Sequence, residues 1–403
     1  MSTFLLKFLT KVMGVITAVA LAFSSLTMAI DSGNFEKAAS FDKVVYENQL
    51  VPELDEDGCW TFTTDRDLKV VQLTDIHIGG GALSVKRDAK ALNAVAAMLT
   101  AEKPDLVVLT GDMVYPVPFQ AGTFNNEIST KMLITLMETL GVYYTVCFGN
   151  HDSEFYGTHT RQQISDLWAD PSLKYSLYQE GPKDVDGYGN HVIKVKNSQG
   201  IVKNAYFMFD SHDYTDGDIL GIQWKYDNIH ENQIQWYKDT VLSIDAKNKA
   251  IDPACPMFTS LAFFHIPLEE YGIAWNEFKA NGYQDTEDVK YYDGWYHEGD
   301  EKSYCGIYPE NLFETMLELG STKGIFCGHD HVNNASLEYK GIRLTYGMSI
   351  DYLAYNELNK EGAQRGCTVI TLTQDGELSV SLENYYQEKY PSKYEKEEIT
   401  MQW

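Results

Sequence analysis

A layered α/β sandwich with its helices outside is the fold class this sequence predicts, and three observations carry the prediction. The 403 residues are 44% hydrophobic and 22% charged, with 30 Gly and 11 Pro. That balance is globular, and the chain is long enough to bury a large core. From Leu68 onward, short apolar runs alternate with stretches of helical period. The last part of the chain is strand-rich. Alternation followed by consecutive strands fits sheets covered by helices on their outer faces.

The strand-like runs are Leu68–Leu73, Asp105–Thr110, Tyr143–Phe148, Ala205–Phe209, Ser260–Phe264 and Gly324–Cys327. Helical spacing marks Ser84–Ala101, Asn126–Leu140, Thr160–Trp168, Glu231–Ala246 and Pro309–Leu319. Ser84 stands where an N-cap belongs, and Gly141 and Gly320 stand where helices end. Arg343–Gly347, Cys367–Leu372 and Leu378–Leu382 predict antiparallel strands, the last two joined by a turn at Gln374-Asp375-Gly376. Glu154–Asn204, Ser211–Asn228 and Tyr271–Tyr308 are long for loops of a compact domain and read as insertions around a pocket. Residues 30–65 read as a polar lead-in, 66–385 as the main domain and 386–403 as a charged tail.

Residues 1–29 join Lys7 and Lys11 to an apolar run from Val12 to Phe23, with small residues at Thr27 and Ala29. That order predicts a cleaved secretory signal peptide, because the run is short for a membrane span. The expectation is a secreted protein with no stable membrane span after cleavage. Cys147 and Cys327 end apolar runs and read as buried thiols, while Cys59, Cys255, Cys305 and Cys367 are free to pair in an oxidising compartment.

The formal charge is −26, and loss of residues 1–29, with two lysines and no acid, would take it to −28. So acidic a surface repels phosphate backbones and excludes a general nucleic-acid binder. An anionic substrate then needs a strong local positive charge, which bound metal supplies.

Five strand-like runs end in chemically similar features. They lead into Asp75-Ile76-His77, Gly111-Asp112, Gly149-Asn150-His151-Asp152, His265, and Gly328-His329-Asp330-His331. Ligands of open α/β sheets bind beyond the carboxyl ends of strands. With Asp152 and Asp330 set aside, that crevice collects two Asp, one Asn and five of the ten His. Imidazole with carboxylate and amide oxygen suits Mn, Fe, Zn or Co better than Ca or Mg. The i, i+2 spacing of Asp75/His77 and of His329/His331 lets both side chains leave an extended segment on one side.

This ordered set resembles the calcineurin-like metallophosphoesterase family. Phe263–Tyr271 (FFHIPLEEY) and Gly328–Asn333 (GHDHVN) are similar to its purple-acid-phosphatase-like branch, which includes the yeast Dcr phosphatase. The resemblance implies a four-layered α-β-β-α sandwich, two mixed sheets flanked by helices. It implies two transition-metal ions, with Asp75, His77 and His331 on the first, Asn150, His265 and His329 on the second, and Asp112 bridging. His151 then stands for the catalytic histidine that stabilises the transition state and protonates the leaving group. Two ions about 3.5–4 Å apart would lower the pKa of a shared water, whose hydroxide attacks phosphorus in line with no covalent intermediate.

The chain departs from the family at one point. Tyr115 stands three residues after Asp112, where purple acid phosphatases carry an iron-ligating tyrosine and protein-phosphatase relatives carry the Asp that orients the catalytic histidine. Because His77 is also present, His77 is expected to ligate and Tyr115 is not, and the partner that orients His151 is left unassigned. Asp152 reads as loop support, and Asp330 as a residue facing away from its flanking histidines if the segment is extended, either supporting the ligands from outside or facing solvent. His212, in Asp210–Asp213, reads either as a substrate contact or as part of a hydrogen-bonded turn. Asp213, Asp216 and Asp218 read as a solvated acidic loop.

The leading expectation is a secreted phosphatase acting on a small phosphoester. Two alternatives share the motifs: a phosphodiesterase on nucleotides or lipid head groups, and a catalytically silent surface-binding module of the same fold.

Overall fold

The computed structural model describes residues 32–215, 218, 223–298, 303–360, 364–386 and 389–390. The segment read as a signal peptide, Asp216 and residues 391–403 of the tail lie outside the described residues. In chain order the described elements begin with α1 (Ser32–Ala38), β1 (Glu53–Leu54), β2 (Trp60–Thr63), β3 (Leu68–Leu73), α2 (Val85–Glu102), β4 (Leu106–Thr110), α3 (Asn126–Leu140) and β5 (Tyr144–Cys147). There follow α4 (Arg161–Trp168), β6 (His191–Lys196), β7 (Val202–Met208), α5 (Glu231–Ile251), β8 (Thr259–Phe263), α6 (Glu269–Ala280), β9 (Val289–Asp293) and α7 (Leu312–Leu319). The last strands are β10 (Thr322–Cys327), β11 (Ser336–Tyr339), β12 (Ile342–Tyr346), β13 (Gly366–Leu372) and β14 (Leu378–Asn384).

These strands form two mixed sheets, one ordered β1-β2-β6-β7-β8-β10-β12-β11-β9 and the other β14-β13-β3-β4-β5. The two-residue period of a strand sorts side chains between two cores. Tyr206, Met208, Leu261, Phe263 and Phe326 join the interior that includes β3 and β4. Their neighbours Ala205, Phe207, Ala262 and Ile325 join the core beneath α5, α6 and α7. The apolar face of α2 (Leu92, Val95, Leu99) repeats at helical spacing and packs toward β3 and β13. The result is the expected two mixed sheets with helices outside.

Capping is partly as expected. Gly141 (φ +67°) and Gly320 (φ +71°) close α3 and α7 in the left-handed conformation, each N–H returning to the carbonyl four residues back. Ser84 precedes α2 but makes no cap bond. Its hydroxyl donates instead to Asp88 Oδ2 at 2.6 Å, and Asp88 accepts the N–H groups of Gly79 and Gly80. The polar pair thereby pins the loop that follows β3.

Several expectations need correction. Besides the expected helix α4, the presumed insertions contain framework: β6 lies in 154–204, and β9 with most of α6 in 271–308. The lead-in supplies β2, which pairs in parallel with β6. Strand β12 is antiparallel to β11 but parallel to β10. All six cysteines are free, and Cys367 Sγ lies 3.7 Å from Tyr390 OH.

A buried glutamine ties the sheets together beneath the strand ends. Gln72 Nε2 donates to Thr110 Oγ1 and to the Cys327 carbonyl, both at 2.9 Å, linking β3 with β4 in one sheet and β10 in the other. Gly328 N–H then bonds the His265 carbonyl at 3.1 Å, joining the ends of β8 and β10. Five carboxyl ends therefore open on the same edge of the sandwich.

Candidate metal centre

The backbone turns sharply at this edge. Asp75, His77, Asp112 and His329 all have left-handed φ (+49°, +53°, +49° and +77°). Such a conformation costs about 1–3 kcal/mol per non-glycine residue, so its surroundings must hold it. They do: Asp75 N–H bonds Gly111 O and His77 N–H bonds Asp112 O, each at 3.1 Å. The buried Asp152 carboxylate accepts the N–H groups of Asp112, Met113, Val114 and Gly149, stitching the β4 and β5 turns together. Close approach also demands glycine. A Cβ at Gly149 would lie 2.2 Å from Asp112 Oδ1, and one at Gly328 would lie 2.0 Å from Thr74 Oγ1.

Seven of the eight predicted side chains interlock around Asp112. Its Oδ2 lies 3.2 Å from His265 Nε2, 3.4 Å from His77 Nε2 and 4.0 Å from His151 Nε2. On one side, His331 Nε2 approaches Asp75 Oδ1 at 3.3 Å. On the other, His265 Nε2 lies 3.3 Å from His329 Nδ1. Two potential metal-holding groups result, Asp75/His77/Asp112/His331 and Asp112/His265/His329, and they share Asp112. Asn150 is the eighth: buried, adjacent to His151, with Nδ2 donating to Tyr214 OH at 2.9 Å.

Second partners fix how these groups present themselves. Asp351 Oδ2 lies 3.1 Å from His77 Nδ1 and 3.2 Å from His331 Nδ1, and His265 Nδ1 lies 2.8 Å from the Thr110 carbonyl. Each contact favours a proton on Nδ1 and leaves an Nε2 lone pair facing the cluster. His151 Nδ1 lies 2.7 Å from Glu154 Oε1, which supplies the orienter missing from the sequence reading. The donor set fits metal ions. Asn150 Oδ1 is buried and has no protein partner, an orphaned acceptor of the kind that a cation satisfies.

Electrostatics follow from this packing. Burial alone would raise Asp112 and Asp351, yet His265 and His151 hold the first, and His77 and His331 the second, well below the usual carboxylate range. Burial would lower His77 and His265, but Asp351 pushes the first, and Asp112 the second, up to about 9. Burial, with His265 nearby, keeps His329 well below the ordinary histidine value.

The remaining predicted residues sort clearly. Tyr115 stacks on His77 (centroids 4.9 Å, 29°) and meets the His151 ring edge-on at 4.8 Å. Asp330 is buried, not solvated, and Tyr346 OH donates to it at 2.7 Å; burial and Glu298 push its carboxyl up to about 8. His212 turns from the cluster to stack on His230 (4.1 Å) and bond Gln233. Asp351 and Glu154 were missed. A cleft of about 1000 Å³ lies elsewhere, between Cys59, the 179–194 segment and α5, and brings none of these groups together.

A histidine- and carboxylate-lined metal cluster at the strand ends of a two-sheet sandwich defines a metal-dependent phosphoesterase. The chain belongs to the Calcineurin-like phosphoesterase family, whose model matches residues 68–333. Similar proteins include "Probable inactive purple acid phosphatase 28" of Arabidopsis thaliana, 26% identical over 324 residues and 74% of each chain. "Probable inactive purple acid phosphatase 29" of the same plant is 28% identical over 334 residues, 77% of this chain and 78% of that one. "Phosphatase DCR2" of Saccharomyces cerevisiae is 28% identical over 302 residues, 68% of this chain and 46% of the yeast protein. Among the described residues no helix is long and apolar enough to cross a membrane.

Proposed function

We propose that this protein is a secreted phosphatase working with two transition-metal ions, Mn, Fe, Zn or Co. The observation that carries the reading is the convergence of His77, His265 and His151 on one oxygen of Asp112, with Asp75 and His331 on one flank and His329 on the other. Asp75, His77 and His331 would hold one ion, Asn150, His265 and His329 the other, with Asp112 shared. Bound there, the ions supply Lewis acidity toward phosphoryl oxygens and a water of lowered pKa.

The chain's own groups do the rest. Asp351 and the Thr110 carbonyl aim three imidazoles, so little reorganisation is needed when charge develops. Tyr214 holds the Asn150 amide by its nitrogen and leaves Oδ1 free. His151, tethered by Glu154, keeps Nε2 on the open side of Asp112 and remains about a quarter exposed, as a proton donor to a departing alkoxide must be. Tyr115, stacked on His77 and edge-on to His151, covers the His77 ring.

The names of the plant relatives favour a second reading, a silent binding module. The complete set of eight side chains supports activity instead. The test is hydrolysis of p-nitrophenyl phosphate by protein loaded with each metal in turn. Turnover that falls at least 100-fold in Asp112→Asn supports the phosphatase. Absence of turnover on monoesters and diesters alike, with ligand binding intact in Asp112→Asn, supports the module.

A further inference from the structure

Beyond the histidines, the site is walled by aromatic rings. Tyr115 covers His77, Tyr226 meets His329 edge-on at 4.3 Å, and Tyr355 meets His331 at 4.4 Å. Tyr214, bonded to Asn150, stacks on Tyr226 at 5.5 Å. An isolated antiparallel bridge joins Tyr214 to Tyr226, and this pair faces Asn150 and His329.

Two residues before Tyr226 stands Trp224, 63% exposed, its ring 6.2 Å from Tyr304. Its φ of +52° is a conformation a bulky side chain adopts only when held there. Asp218 does the holding, accepting the N–H groups of Gln223 and Lys225 on either side, and Thr215 N–H bonds the Lys225 carbonyl. An indole fixed outward in this way buries little surface of its own. Phe155, the residue after Glu154, is 67% exposed and packs edge-on against Tyr156.

Two carboxylates, Glu154 and Glu298, flank the histidines. Among the described residues, every ion pair within the cluster uses a histidine as its cation. Glu154 sits on His151, and Glu298 accepts Tyr355 OH and Val332 N–H beside His331. The nearby guanidinium, Arg161, is turned inward to Gly149 O and Asp210.

Resting on the phosphatase reading above, we propose that Trp224 and Phe155 form a leaving-group subsite for monoesters of uncharged alcohols bearing an aromatic ring, while Glu154 and Glu298 disfavour leaving groups that carry further phosphate. A simple aryl-alkyl phosphate and a nucleoside 5′-monophosphate share this chemistry.

The test compares substrates matched in their leaving oxygen, using the metal-loaded full chain. The pairs are 2-phenylethyl phosphate against ethyl phosphate, and AMP against ribose 5-phosphate. The aromatic member should show kcat/KM about tenfold higher, through KM, the upper range of ring-stacking energies. Trp224→Ala and Phe155→Ala should each shrink that ratio. The pair with the larger ratio identifies an aryl or a nucleoside leaving group. ADP should be a poorer substrate than AMP, and Glu298→Gln should narrow the gap. Ratios near one in the wild type, ratios that survive both alanine variants, or ADP equal to AMP would overturn the proposal. If no monoester is hydrolysed, the phosphatase reading fails and binding decides the subsite. Tryptophan fluorescence should then report tighter binding of 2-phenylethylphosphonate than of ethylphosphonate, a difference lost in Trp224→Ala; equal affinities overturn the subsite.

Discussion

Replacing Asp351 with Asn probes the site through a residue that is not itself one of the eight. In the native chain one oxygen, Oδ2, faces His77 Nδ1 at 3.1 Å and His331 Nδ1 at 3.2 Å and also accepts Tyr355 N–H at 2.7 Å. The other, Oδ1, accepts Leu353 and Ala354 N–H at 2.7 and 2.8 Å, and asparagine can keep these bonds. The asparagine NH₂ must then face the two imidazoles, favouring a lone pair on Nδ1 and a proton on Nε2, the wrong tautomer for ligation. Hydrogen bonds to charged groups contribute about 1.5–3 kcal/mol each, but one oxygen serves both rings, so the losses do not simply add. Loss of a ligand's outer partner typically weakens metal binding by about 10–100-fold, and two affected ligands put this variant at the upper end. We therefore expect about 100-fold, or about 2.7 kcal/mol, for the ion held by Asp75, His77 and His331. Chelator competition would measure the two affinities separately, and the melting temperature of metal-free protein would control for folding. Two ions bound as tightly as in the wild type, or equal weakening of both, would refute the reasoning.

Other perturbations give distinct signatures. Glu154→Gln should lower kcat more for alkyl phosphates, which need a proton donor, than for p-nitrophenyl phosphate, with Glu154→Asp partly restoring it; an equal drop for both substrates contradicts the role given to His151. Gly149→Ala places a Cβ 2.4 Å from Asp112 N, where backbone must move; urea denaturation should show a loss of about 1–3 kcal/mol, with weakened metal retention. For Glu102, burial would raise the carboxyl, but Lys389, Lys69 and Tyr390 bring it down to about 2. A lowered carboxyl stabilises the fold above its unfolded pKa and loses that effect as pH falls from about 4.5 toward 2. With both lysines substantially exposed the contribution is on the order of 1 kcal/mol, and Glu102→Gln should flatten the acid limb of the stability profile.

The site was more legible in the sequence than the frame around it. Strands β4 and β5 are buried along their length and β3, β8 and β10 at all but one position each, so each reads as an apolar run punctuated by its functional motif. Strands β1 and β9 are short or largely exposed and leave no such run. Helix α6 was hidden because its first turn overlaps the FFHIPLEEY motif. Glu154 had a usable signal: it follows a 3-10 turn at His151–Ser153, where i and i+3 eclipse. Asp351 had none. It lies 20 residues beyond His331, and only the return of β12 beside β10 brings it back. Likewise His212 shared the strand-end signature of the ligands, but the Gln233 amide and the His230 ring turned it away.

The most direct test of the dinuclear centre is anomalous diffraction from crystals of metal-loaded protein. The account predicts two peaks, one on each side of Asp112, with Asn150 Oδ1 bound to one of the two ions. A single peak, or ions found only at His212, Asp227 and His230, a separate group whose side chains also lie close enough to share an ion, would contradict it.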